Sequence, residues 1–360
     1  KRVPGDTQFR KLLAPIDPSL LLAGLRKGIT LLQGTRSWLE FRFLDGRYLV
    51  ALDGTEYFNS EEIHCKHCLE RHHRDGRVEY YHQILVAALI HPGTGQSFPL
   101  WAEEIRREDG TTKQDCESNA AARLLPTLAK MYCHLDIVLL SDSLYSKTPV
   151  MDLARSLNMN FIFVAKPGDH SHLEEQLIGL RLAGGVTILE KGGHGKIGQR
   201  RLEIAHDVPL FASTNAIAHW LEYSETTTSG KAGYHNGWVT SIKPTTQNAL
   251  ELVVAGRHRS SIENQTFNAL KNHGHHFEHN FGHGKDLCFI FAILNLLAFL
   301  MHQLLSIGDA LYVEAKTWKK TVRELYEHIR IAIRMALWPD WPTLMNHYLG
   351  RGPQLRIESG

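Results

Sequence analysis

An excess of charge of either sign is absent from this 360-residue chain: 40 Lys and Arg stand against 38 Asp and Glu, a formal net charge of +2. Nucleic-acid binding therefore has no support from total charge and must be argued from local clusters. Cysteine is scarce as well. Five cysteines (Cys65, Cys68, Cys116, Cys133, Cys288) without a signal-peptide pattern exclude a disulfide framework and point to a reducing compartment. Long apolar runs are missing apart from Cys288 to Ile307, and there Asn295, His302 and Gln303 interrupt the stretch with no second run beside it. A core helix, not a membrane span, is expected. The length allows two or three domains and a large core.

What is present is a set of acids at structured positions. Arg47-Tyr-Leu-Val-Ala-Leu-Asp53 reads as a buried strand with an acid at its C-terminal tip, and Gly54-Thr55 as a turn after it. Asp136-Ile-Val-Leu-Leu-Ser-Asp142 repeats the pattern, and Pro149 to Asn158 follows as a helix with proline in its first turn. From Thr246 to Asn272 apolar residues recur at helical spacing, with Gly256 as a possible break, so Glu263 projects from a helix.

The intervening segments complete an order. Tyr80 to Ile90 and Ser97 to Trp101 read as strands two and three, Asp115 to Met131 as a helix, the Asp142 strand as the fourth, and Asn160 to Ala165 as the fifth. Three strands, a helix, a strand, a helix, a strand and a last helix resemble the RNase H-like fold, with acids on strand one, after strand four and on the final helix. The expected fold is α/β, a mixed five-stranded sheet flanked by helices. The expected division is a helical N-terminal region over 1–45, a catalytic domain over 46–165 and 247–310, a β-rich insertion over 166–246 and a helical C-terminal region over 311–360.

Arg259-Ser-Ser-Ile-Glu263-Asn-Gln-Thr-Phe-Asn-Ala-Leu-Lys271 resembles the tyrosine-arginine-glutamate-lysine block of DDE-class insertion-sequence transposases, the IS-four-like group. Asp53-Gly-Thr-Glu-Tyr-Phe-Asn-Ser60, Asp109 to Ala120 and the histidine-rich run Leu270 to Gly284 resemble one subgroup of them. The resemblance covers about residues 45 to 310. There are departures. Gly256 stands where the block has tyrosine, Ser260 where tryptophan is common, and one residue more separates Glu263 from Lys271.

The resemblance implies Asp53, Asp142 and Glu263 as catalytic ligands of Mg²⁺ or Mn²⁺, Asp53 bridging two ions while each other acid holds one. Water would cut the element end, and the freed 3′-hydroxyl would attack target DNA. Terminal inverted repeats, target DNA and a second copy of the chain in a homodimer are the implied partners, in a prokaryotic cytoplasm at the nucleoid. Two alternatives stand beside it: a domesticated DDE-fold nuclease without joining activity, and a His/Cys-rich metal-binding, DNA-associated protein.

DNA contacts are expected from Arg259 and Lys271, from the basic group Lys196, Arg200 and Arg201, and from further clusters at Lys1-Arg2, Arg10-Lys11, Arg26-Lys27 and along Lys316 to Arg334. The chain opens at Lys1 without methionine, and Arg2 to Arg10 resembles the end of the family's N-terminal DNA-binding region, which implies residues upstream. Relatives use a tryptophan of the β-rich block to stack on a flipped base. Trp220 and Trp238 are the candidates here, with strand core as the favoured alternative for both.

His64-Cys65-Lys-His67-Cys68 carries the only CxxC, half of the usual zinc pattern, to be completed by Cys116 and one of His72, His73 or His82. His275, His279 and His283 share i, i+4 spacing, but Gly274, Gly282 and Gly284 argue for a loop near the acids that touches DNA or positions Glu263.

Overall fold

Leu49 to Leu52 and Ile84 to Ile90 are unbroken apolar runs, the pattern of strands covered on both faces, and every residue in them is fully buried. They lie in two interior strands of the sheet in a computed structural model that describes residues 5–109, 113–165, 168, 170–212, 216–284, 286–318 and 321–351. Lys1, Arg2, Lys319 and Lys320 of the expected basic clusters lie outside the described residues.

The chain starts with two helices, α1 (Asp6–Leu13) and α2 (Pro18–Gln33). Asp17 caps α2 by accepting the Ser19 amide at 2.9 Å, with Pro18 in the first turn, as the start signal predicts. A 3₁₀ turn (Arg36–Phe41) leads to β1 (Arg42–Phe43), β2 (Arg47–Ser60), β3 (Leu69–His72), β4 (Val78–Ile90) and β5 (Ser97–Ile105). Then come α3 (Glu117–Met131), β6 (Ile137–Ser141), α4 (Thr148–Ser156), β7 (Asn160–Val164) and α5 (Ser171–Leu182).

Four antiparallel strands follow, β8 (Thr187–Gly192), β9 (Ile197–Pro209), β10 (Ile217–Thr227) and β11 (Ala232–Thr240). The helical remainder comprises α6 (Ala249–Arg257), a 3₁₀ turn (His258–Ser260), a π-helical stretch (Ile262–Phe267), α7 (Asn268–Asn272), α8 (Leu287–Gly308), α9 (Ala310–Trp318), α10 (Val322–Met335) and α11 (Trp341–Tyr348).

The sheet runs in the order β3-β4-β2-β6-β7-β11-β10-β9-β8, with β5 on β4 and β1 on β2. Only β2, β6 and β7 are mutually parallel; the other pairings are antiparallel. The expected sheet of five strands is therefore corrected to one of eleven among the described residues. The β-rich block does not stand apart, because β11 pairs with the otherwise open edge of β7 through Trp238↔Val164, Val239↔Phe163 and Thr240↔Ile162. An unpaired edge is a liability, and the block covers it.

One correction bears directly on function. Asp53 does not sit at a strand tip, and Gly54-Thr55 is no turn: β2 runs on for seven residues past Asp53, paired with β4 through Asp53↔Val86, Gly54↔Leu85 and Thr55↔Ile84. Local turn signals give way to a ladder supplied by a neighbouring strand. Gly256 likewise leaves α6 unbroken, and the helical irregularity falls after Arg257.

α8 is long and apolar enough to cross a membrane by length and composition, but it is a core helix here, with Ile290, Ile293, Leu296 and Leu300 buried. Gly24 and Gly28 let α2 approach it: a Cβ on Gly28 would stand 2.7 Å from a methyl of Leu300. Helices α9 to α11 close a second, smaller core around Tyr312, Leu325 and Met345.

Candidate active site and metal centre

Parallel pairing between β2 and β6 aligns Tyr48↔Ile137, Leu49↔Val138, Val50↔Leu139 and Ala51↔Leu140. Continued two residues further, this register sets Asp142 level with Asp53. The strands part at that point, since β6 ends at Ser141 while β2 stays with β4. Asp142 turns the chain, its Oδ1 accepting the Leu144 amide at 2.9 Å. Asp53 is 9% exposed.

A third carboxylate here escaped the sequence reading. Glu117, in the first turn of α3, accepts hydrogen bonds from Gln83 Nε2 at 2.6 Å and Tyr145 Oη at 2.8 Å. Its side chain fills the space beside Gly54, where a Cβ would overlap the carboxylate. An acid in a first helical turn ordinarily complements the helix dipole, so nothing local distinguished Glu117; only its tertiary position, with Gly54 as counterpart, does. Burial raises its pKa, the Tyr145 and Gln83 hydrogen bonds oppose the rise, and Asp142 adds to it.

Glu263 completes the group from the other side. It lies in the π-helical stretch, and such wide turns recur at functional sites. Glu263 on this stretch and Lys271 on α7 both line the same groove. Arg259 spans two acids, its Nη1 3.4 Å from Asp53 Oδ2 and its Nη2 3.6 Å from Glu263 Oε2. Burial, first, and then repulsion from Glu263, Glu117 and Asp142 raise the Asp53 pKa to about 7, with the Arg259 guanidinium pulling the other way. Three carboxylates repelling a buried fourth form a site deficient in positive charge. Hard oxygen donors of this kind suit Mg²⁺ or Mn²⁺.

The groove beside the acids has a volume of about 650 Å³ and runs between β2 and the Ile262–Asn272 helical stretch, lined among others by Thr55, Asn59, Asn264, Asn268 and Lys271. Lys271 is ion-paired to Glu278 at 2.9 Å. The structure does not bring Lys196, Arg200 and Arg201 to this group. They lie on the β8–β9 hairpin, and β9 is five strands from β2, about 24 Å across the sheet. Arg201 is held by Glu190 at 2.7 Å and by Glu203.

Trp238 is corrected from a base-stacking candidate to a core residue, fully buried under α6. A Cβ on Gly256 would stand 2.6 Å from its Nε1, so the indole occupies the room a larger residue at position 256 would need. Trp220, 3% exposed, is core as well.

Three of the four expected Cys/His ligands, Cys65, Cys68 and His82, come together. Cys65, Cys68, His82 and His283 converge, with all their donor atoms within 4.8 Å of one another, a group able to hold a metal ion. Cys116 is not part of it: it is exposed at the start of α3. His72 and His73 bind Glu70 and Glu79 instead. His283 takes the fourth place, from the loop between α7 and α8. No spacing rule links it to a CxxC more than 200 residues upstream.

No protein-family model matches the chain, and no curated protein does.

Proposed function

We propose that the chain is a DDE transposase of RNase H-like fold, which cuts DNA at the ends of a mobile element and joins them to target DNA. Support for the fold comes from the strand order β5-β4-β2-β6-β7, with helices α3 and α4 in the connections flanking β6. The observation that carries the chemistry is that Glu263, Glu117 and Asp142 all act electrostatically on the buried Asp53, while Arg259 reaches both Asp53 and Glu263.

Asp53, Asp142 and Glu263 hold magnesium or manganese in this reading. Such ions activate an attacking oxygen and stabilise the leaving oxygen of a phosphodiester displacement. Arg259, which lies between Asp53 and Glu263, would offer a fork of donors to the scissile phosphate. The groove of Asn264, Asn268 and Lys271 accepts the DNA backbone alongside. Glu117, held by Gln83 and Tyr145, stands as a further oxygen donor at the same place. No side chain becomes covalently attached: water serves as nucleophile for cleavage and the freed 3′-hydroxyl for joining, and a homodimer pairs the two ends. The thiolates and imidazoles of the Cys/His group have no part in these steps, and their softer donor set suits zinc.

Selection of bound duplexes from a random DNA library, followed by incubation with Mg²⁺ or Mn²⁺, tests the proposal. The expected product is a cut leaving a 3′-hydroxyl, abolished by Asp53→Asn, Asp142→Asn and Glu263→Gln. Selected DNA that stays intact in both metals, or cleavage that survives Asp53→Asn, overturns it. Joining of a precut end to plasmid DNA separates a transposase from a nuclease that only cuts.

A further inference from the structure

We infer that Cys65, Cys68, His82 and His283 bind one Zn²⁺, and that the ion clamps the loop following the Glu263 helix onto the central strands. Four of the six donor–donor edges have tetrahedral lengths, and all six are within 4.8 Å. Sγ of Cys65 and Sγ of Cys68 are 3.7 Å apart, His82 Nε2 is 3.4 Å from each sulfur, and His283 Nε2 is 3.4 Å from Cys68 Sγ. Zn–S bonds of about 2.3 Å and Zn–N bonds of about 2.0–2.1 Å at tetrahedral angles require S···S edges of about 3.8 Å and S···N edges of about 3.6 Å. The observed edges match to within 0.2 Å of these. A disulfide would need its sulfurs near 2.05 Å.

The surroundings fit as well. Both imidazoles turn the same nitrogen, Nε2, to the centre and leave Nδ1 facing outward, where a metal-bound histidine finds a partner. His82 Nδ1 faces Glu104 Oε1 at 3.7 Å, an ion-pair distance too long for a hydrogen bond, so this buried nitrogen makes no hydrogen bond among the described residues; Glu104 itself is held by Arg106 at 2.6 Å and Tyr57 at 3.1 Å. His283 Nδ1 is 3.5 Å from Cys288 Sγ. Two thiolates neutralise the ion, so the centre adds no net charge to a place where Cys68 and His82 are each 1% exposed.

The four ligands come from three segments. Cys65 and Cys68 stand in the β2–β3 connection, His82 on β4, and His283 in the loop between α7 and α8. The same loop is fastened by Phe277 against Tyr57, by Phe58 against His283 at 4.3 Å, and by Asp286 to Arg106 at 2.5 Å. It supplies Glu278 to the end of the groove, where Lys271 pairs with it. A zinc ion at this centre therefore ties the loop that follows the helical stretch of Glu263 to β4 and to the connection leaving β2, the strand of Asp53. Zinc binding itself does not rest on the proposed DNA chemistry.

Metal analysis of the full chain purified from zinc-supplemented medium is the first test, and one zinc per chain is expected. Replacement by Co²⁺ should give the thiolate charge-transfer and d–d bands of a tetrahedral site without any mutation. His283→Ala, at a half-exposed position, should lower zinc content or affinity at least tenfold and speed proteolysis between residues 273 and 286, whereas Cys116→Ser should leave both unchanged. Zinc well below one per chain in the wild type, octahedral cobalt spectra, or full zinc retention with unaltered proteolysis in His283→Ala overturns the inference. None of these readouts involves DNA cleavage, so a failed nuclease assay leaves the result standing, and the reverse.

Discussion

Glu117 occupies the space in which Gly54 would carry a side chain. A glycine in the interior of a long central strand weakens it and marks the close approach of another group. Here that group is a carboxylate from the first turn of α3. Gly54→Ala puts its methyl against the Glu117 carboxyl and 2.9 Å from Gln83 Nε2. The expected cost is about 1–3 kcal/mol in chemical denaturation, from overpacking in a filled site. A cost below about 0.5 kcal/mol would show that Glu117 swings away freely.

Glu117→Gln retains a side chain that can bond to Tyr145 and Gln83 but removes one negative charge. Affinity for Mn²⁺, followed by calorimetry, should fall about 10–100-fold, the usual scale for groups that tune a metal site. Unchanged affinity would reduce Glu117 to a packing role.

Asp53 links the site to pH. Its carboxyl pKa, raised from 3.8 to about 7, means that the folded chain holds this proton more tightly than the unfolded chain. In metal-free protein the group therefore costs stability progressively as pH rises through that window, by an upper bound of about 4 kcal/mol once both states are ionised. Asp53→Asn should stabilise the metal-free chain at about pH 8 and have little effect near pH 4, and Mg²⁺ should stabilise only the wild type. Thermal denaturation with and without chelator measures both. A variant as stable as the wild type at about pH 8 would contradict the charge crowding described above.

Gly256 and Trp238 provide a test of packing. Gly256→Ala alone should cost about 1–3 kcal/mol, because the new methyl meets the indole at 2.6 Å. Combined with Trp238→Phe, which removes the Nε1 edge, the cost of the alanine should shrink by at least half, a coupling that a double-mutant cycle reads directly. Additive costs would show that the clash is relieved elsewhere.

Much of the arrangement around the acids was legible along the chain. The apolar runs at Tyr80–Ile90, Asp136–Ser141 and Asn160–Ala165 overlap β4, β6 and β7 within a few residues, because fully buried strands carry their own unbroken signature. The continuation of β2 beyond Asp53 was hidden by Gly54-Thr55, and β3, with Glu70, Arg71 and His72 in four residues, has no apolar pattern at all. Both exist because β4 is long enough to pair with them.

The offset of 89 residues between Asp53 and Asp142 is a property of the sequence, equal to the offset of Tyr48 and Ile137 on the paired strands. The CxxC spacing of Cys65 and Cys68 is another such local property. Which residues join them was decided only in three dimensions: Glu117 by the docking of α3 beside Gly54, His283 by the loop that folds back over β4, and the buried position of Trp238 by the pairing of β11 with β7. Strand and turn preferences act over a few neighbouring residues. Contacts between segments more than sixty residues apart depend on which surfaces remain open when the sheet closes, and no short stretch of sequence records that.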